Sequence, residues 1–340
     1  MSAIKLTKRE KSWIVYDVGN SAFVLLASTL IPIYFSAIAD PGSSVVVAWG
    51  YATTVASLLL ALLMPFLGSI ADLKGNKKRL LVGSIGTGAV LLACMGIPGN
   101  AMVLLVMYVV ATIMLNASLV FYDAFLIDAT DSENRYDEVS SQGYAWGYIG
   151  SCVPFVVCLA LVLGSGAIGM SQMTALTIAL FITAAWWLVT TLPLLRRYRQ
   201  VNYVEVEQHA IRQSFVRIGH TLKHLYEDKQ VFWFLLAFFC YIDGVYTIID
   251  MATDYGTALG LDTTGLLLAL LVTQIVAFPS ALIFGRLSAK YPSSQLIPVC
   301  IAAYTGIAVF AFFLTQQWQF WVLAVLVGMF QGGVQALSRS

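Results

Sequence analysis

Residues Tyr241–Asp254 read YIDGVYTIIDMATD, three carboxylates set inside a long apolar run. The run opens at Val231, and no Lys or Arg returns until Arg286. An aspartate at the centre of a bilayer-spanning helix costs roughly 2.5–3.5 kcal/mol on insertion scales, so it marks a function or a partner. Asp243, Tyr246, Thr247, Asp250 and Asp254 follow the i, i+3, i+4, i+7, i+11 spacing of one helix face. That face is expected to look into a water-filled path between helices and not at lipid.

The rest of the chain has the composition such a helix needs. Of 340 residues 59% are hydrophobic and only 11% charged, and the mean hydropathy is +0.81. A soluble domain carries about 25% charged residues, so this is an integral membrane protein. The net charge of +1 is not spread over a water-facing surface, so no nucleic-acid partner is expected. The five cysteines lie in apolar runs, with no zinc or CxxC spacing, and read as small core residues.

A helix crosses the hydrocarbon in about 20 mostly apolar residues. That length gives ten spans, near 13–38, 46–71, 79–98, 101–127, 140–164, 173–195, 231–258, 264–289, 294–315 and 318–338. With these boundaries all nineteen Lys and Arg fall in the loops on one side. The positive-inside rule puts that side, and the N-terminus, in the cytoplasm of a multi-pass protein of the cell membrane. The expected organisation is a six-helix bundle over 1–195, a cytoplasmic linker over 196–230 and a second bundle from 231 to 340. In the linker, Ile211, Phe215, Ile218, Leu222 and Leu225 mark an amphipathic helix. His220 and His224 there have the spacing of a metal pair but no third ligand, so a solvated face is expected and no metal site.

Depth sorts the acids. At 1.5 Å per residue Asp17 lies about 6 Å past Trp13, near the cytoplasmic boundary, whereas Asp243 lies about 18 Å into its span. Asp123 falls near the cytoplasmic end of the fourth span, and Asp128 reads as a solvated helix-end acid. Asp17 and Asp123 serve either as inner-gate groups or in helix packing. Asp243 is the first candidate for substrate or proton, with Asp250 and Tyr246 on its face. Gln331 and Gln335, at i, i+4, either bond a polar substrate or join helices. Trp186, Trp187, Trp318 and Trp321 read as interfacial anchors. No phosphate loop, HExxH or nucleophile–His pair occurs, so neither an enzyme nor a cofactor is expected.

Two stretches suggest that the second half repeats the first: GSIADLKGNKK (Gly68–Lys78) after the second span and GRLSAKYP (Gly285–Pro292) after the eighth. Gly68, Ala71, Asp72, Gly75, Lys77 and Lys78 resemble the loop signature of the major facilitator superfamily. YDVGNSAF (Tyr16–Phe23), YIDGVYTI (Tyr241–Ile248), QIVAFPSALIFG (Gln274–Gly285) and GGVQALSRS (Gly332–Ser340) are similar to its unknown-major-facilitator branch, which includes fungal vacuolar amino-acid effluxers. Val18 and Gly19 stand where that pattern has Trp and Ala, and Ile242 where it has Asn. Asp17, Asn20, Asp243 and Gly244 are retained.

The resemblance implies an all-α fold of two pseudo-symmetric bundles with twelve helices. Spans 1, 4, 7 and 10 would line a central cavity, and the Asp72 loop would act as a gate latch. With ten spans ending at Ser340, the second bundle is expected to be truncated, with an apolar flank left for two more helices. The function implied is secondary active transport of a small polar solute, amino acids by analogy, with protons or another ion as the coupling partner. The rival reading is a non-transporting receptor or scaffold on the same fold.

Overall fold

The computed structural model describes residues 6–39, 45–97, 99–130, 132, 135–203 and 227–339, apart from the side chains of residues 45, 46, 250 and 254. The amphipathic helix expected around Ile211–Leu225, with His220 and His224, lies outside them. Contacts divide the chain into two compact units, residues 1–131 with 153–224 and residues 132–152 with 225–340.

The first unit contains α1 (Lys8–Ala27), α2 (Leu30–Ile38), α3 (Val45–Ala71), α4 (Asn76–Cys94), α5 (Ala101–Asp123), the short α6 (Leu126–Ala129), the later part of α7 (Tyr136–Leu163) and α8 (Gln172–Arg197). A capping box starts α1: the Glu10 amide donates to Thr7 Oγ1 at 3.2 Å, and the Thr7 amide to Glu10 Oε2 at 2.7 Å. The first span is not one rod. Its helix stops at Ala27, where Ser28 Oγ donates to Val24 O at 3.2 Å and Thr29 Oγ1 to Leu25 O. These local bonds satisfy the carbonyls at the break, and α2 carries on from Leu30.

In this unit α1 packs against α8, α4 against α5 and α8, and α3 against α5. Trp187 of α8 is fully buried, with its ring 5.6 Å from that of Phe23 and its edge in a slot left by Gly88. It is a core residue, and the anchor role expected for it is corrected: the small residues opposite admit the indole. Gly19 faces the same helix. A Cβ there would lie 2.0 Å from Thr190 Oγ1 and 3.2 Å from Trp187 Cα. Gly19→Ala is therefore expected to destabilise by about 1–3 kcal/mol, and Thr190→Ala in the same chain to recover most of it. Thermal unfolding in detergent of both single variants and the double one checks this, and additive losses would show that Thr190 is not the obstacle.

The second unit contains the first part of α7, then α9 (Lys229–Ala258), α10 (Thr263–Leu287), α11 (Ser293–Phe312) and α12 (Gln317–Arg339). Its tightest pair is α10 and α12, whose backbones approach at glycines. A Cβ on Gly332 would sit 2.8 Å from Ala281 N and 2.9 Å from Ala277 O, and one on Gly328 2.7 Å from Thr273 O. Thr273 Oγ1 donates to Ala324 O at 3.1 Å, and Ser280 Oγ to Met329 O. Close backbones and interhelical hydrogen bonds take over, inside a bilayer, the role that apolar burial has in water. By contrast α9 is mostly exposed and is attached at a few points: the buried Val245, Tyr241 bonded to Ser338 at 2.6 Å, and Tyr255 to Ala311 O at 2.8 Å.

Nine helical segments among the described residues are long and apolar enough to cross a membrane. The third expected span is also a helix, α4, but Lys77, Lys78 and Arg79 occupy its first turn. The helix order puts the described Lys and Arg at the starts of odd-numbered spans and the ends of even ones. The domain boundary drawn from the sequence differs from the contact division at α7, whose residues up to Cys152 group with the second unit and whose remainder, from Val153, groups with the first. Pro154, next to that junction, lacks the N–H that would bond the Gly150 carbonyl. Cys152, Cys158 and Cys300 are buried, Cys94 is half-buried, and Cys240, on α9, is exposed.

Candidate functional site

The first unit gathers polar groups within the membrane-spanning part of α1. Asp17 is 3% and Asn20 4% exposed. Asn20 Nδ2 donates to Asp17 Oδ1 at 3.1 Å and reaches Tyr16 O at 3.5 Å. The Tyr16 hydroxyl bonds Ser118 of α5 at 2.6 Å. Trp13 fixes the same contact one turn earlier, stacking on Tyr122 at 4.4 Å and donating to its carbonyl at 3.0 Å. Two sequence candidates, Asp17 and Asn20, therefore meet on α1 beside Tyr16, and Asp123 ends α5, the helix that holds Ser118.

Asp72 is elsewhere, 56% exposed in the turn between α3 and α4 and 3.9 Å from Lys77. Lys77 is 4% exposed and donates to Ala124 O at 3.4 Å. The residues after α8 strap over this turn. Gln200 takes the Gly75 amide at 3.0 Å and donates to Ala71 O at 3.3 Å. Asn202 donates to Asp128 Oδ1 through its amide at 2.9 Å and its side chain at 2.7 Å. Asp128 is thus 3% exposed and held, which corrects the solvated helix-end reading. Depth along a helix cannot reveal that a later segment folds back over its end. Tyr198 stacks on Phe125 at 4.0 Å. Burial, then the carboxylates of Asp128 and Asp72, pushes its hydroxyl above the usual tyrosine range, so it stays un-ionised.

In the second unit, Gln335 is 7% exposed and accepts a hydrogen bond from Tyr148 of α7. Gln331, one turn away, is 4% exposed, and its Oε1 has no hydrogen-bond partner among the described residues. Ser141 Oγ of α7 is in the same condition. At the end of α12 Arg339 donates to Ser140 Oγ at 3.0 Å and Ser140 O at 2.9 Å, with its guanidinium 3.9 Å from the centre of the Tyr144 ring. Asp243 and Tyr246 are exposed on α9. Asp243 makes no hydrogen bond or ion pair among the described residues. The side chains of Asp250 and Asp254 lie outside them.

Tyr148, Arg339, Gln200 and Asn202 were not legible as partners. Tyr148 and Tyr144 have i, i+4 spacing on α7, the one available signal. The other contacts join residues more than 70 positions apart. Among the described residues no three His, Cys, Asp or Glu side chains group as a metal site.

Comparison with known proteins gives the family. A model described as "Vacuole effluxer Atg22 like" matches residues 42–340. An uncharacterized MFS-type transporter, YxiO of Bacillus subtilis (strain 168), is 40% identical over 99% of this chain and 80% of its own length. The chain belongs to the Atg22-like vacuole effluxer family. Autophagy-related protein 22 of Coccidioides immitis (strain RS) is 26% identical over 60% of this Atg22-like chain and 38% of its own length. Among solved structures, the proton:xylose symporter XylE aligns with a TM-score of 0.63 at 10% identity, over 97% of this chain and 80% of that one. The nucleoside transporter NupG aligns with a TM-score of 0.60 at 15% identity, over 98% of this chain and 80% of that one. At such identities the structures establish the fold, which is that of the major facilitator superfamily.

Proposed function

We propose that this major facilitator-type transporter moves a small polar solute, amino acids first among them, by alternating access coupled to protons. The observation that carries the reading is Asp17, a carboxylate 3% exposed within a membrane-spanning helix and held by Asn20. Ionisable groups at that depth line ion and solute pathways. The family description speaks of a vacuole effluxer and names no substrate; amino acids, from the motif resemblance, are the class to try first, and the proton symporter among the structural neighbours favours proton coupling.

In the second unit the candidate is Asp243. A carboxylate near mid-membrane is not stable against lipid, so its exposure on α9 favours contact with water that the solute crosses. Gln331 supplies a hydrogen-bond acceptor for the solute from α12. Asp17 and Asp123 serve the inner gate, and the turn carrying Asp72 is its latch. The Lys and Arg ends, with the N-terminus, face the cytoplasm of a cell-membrane protein.

Proteoliposomes holding the protein test this with labelled amino acids, with and without an imposed pH gradient. Uptake that rises with the gradient and collapses with a protonophore is expected. Uptake indifferent to the gradient would remove the coupling, and no uptake of any amino acid would remove the substrate class.

A further inference from the structure

We propose that the face of α4 starting at Lys78 and Arg79 binds an anionic phospholipid, its phosphate between the two cations and one acyl chain along Gly83, Gly86 and Val90. The four basic residues of the α3–α4 turn are not equivalent. Lys77 is buried and committed to Ala124 O and Asp72, and Lys74 lies 4.9 Å over the Tyr203 ring. Lys78 and Arg79 are exposed and make no hydrogen bond or ion pair among the described residues.

These two line an open cavity of about 500 Å³ with Gly75, Val82 and Gly83. The amide of Gly75 is already taken by Gln200, so the cations, and not that amide, are what an anion would meet. Beyond the cavity the same side of the helix stays open. Arg79, Val82, Gly83, Gly86 and Val90 follow i, i+3, i+4, i+7, i+11, one face of the helix. Val82 is 42% and Val90 61% exposed, and a Cβ on Gly83 or Gly86 would meet nothing within 4 Å. From Lys78 to Val90 the helix rises about 18 Å, close to the hydrocarbon depth of one leaflet, about 15 Å. A free phosphate would use only the top of this surface. A phospholipid matches all of it, with each cation contributing about fivefold in affinity for an anionic head group. The site stands whichever solute is carried.

Native mass spectrometry of the whole chain, exchanged from neutral detergent into dioleoyl phosphatidylglycerol or phosphatidylcholine, tests the proposal. Wild type is expected to retain phosphatidylglycerol preferentially. Lys78→Gln with Arg79→Gln should lower retention by roughly tenfold or more, whereas Lys8→Gln with Lys11→Gln, the same change of charge elsewhere, should not. Gly86→Leu, which puts a bulky side chain where the acyl chain would lie and leaves both cations, should also weaken retention, and it decides the matter if the double variant does not fold. Equal loss in the two charge variants would reduce the effect to general surface attraction and overturn the site. So would equal retention of phosphatidylcholine, undiminished retention in Gly86→Leu, or displacement of the lipid by millimolar inorganic phosphate.

Discussion

Asp17→Asn is expected to abolish gradient-driven flux, by about tenfold at the least, while the protein remains folded and at least as stable. The substitution keeps the shape and removes the charge. Asp17 is 3% exposed, and an amide of the same shape is easier to bury than a carboxylate, so the variant should fold at least as well. Asn20 now donates to Asp17 Oδ1, and it would find the amide oxygen of the new residue in the same place. Flux and thermal stability should therefore move apart. Unchanged flux would make Asp17 a packing residue. Asp243→Asn, measured beside it, separates two versions of the mechanism. Loss in both variants requires both carboxylates, and loss in Asp243→Asn alone moves the coupling step to α9.

Gly332→Val is expected to have the largest effect on the fold. Its Cβ would stand 2.8 Å from the Ala281 amide nitrogen and 2.9 Å from the Ala277 carbonyl. Both are backbone atoms of a continuous helix, so no rotamer change makes room. Inserting even one methylene into a tight core costs about 1–3 kcal/mol, and a branched side chain against two backbone atoms lies at or beyond the top of that range. The expected result is loss of the monodisperse peak in size-exclusion chromatography. Gly306→Ala on α11, where a Cβ meets nothing within 4 Å, should leave the peak in place. A well-behaved Gly332→Val protein would mean that α10 and α12 need not pack as closely as described.

Much of the fold was legible because membrane helices advertise themselves: length, hydropathy and the one-sided Lys and Arg pattern act over whole segments. The Tyr241–Asp254 stretch gave a helical face, and α9 runs through it unbroken. What remained hidden was which residues meet. Trp187 read as an anchor because sequence shows an indole near a span end; Gly88 and Gly19, which face its surroundings, are about 100 and 170 positions away. The resemblance marked Gly19 as a departure from pattern, and the close approach of Thr190 now gives it a physical reason. Asp128 was misread for the same cause, since Asn202 covers it from beyond the end of α8. The Asp17–Asn20 bond, three residues apart on one helix, lay within reach of spacing alone.

Cys240 lies three residues before Asp243, so the two share a face of α9. It is exposed, while Cys152, Cys158 and Cys300 are buried and Cys94 is half-covered. A thiol-reactive fluorophore would therefore attach first one turn from the candidate carboxylate, in the unmodified protein. The chain carries its own spectroscopic reporter on the helix that holds Asp243.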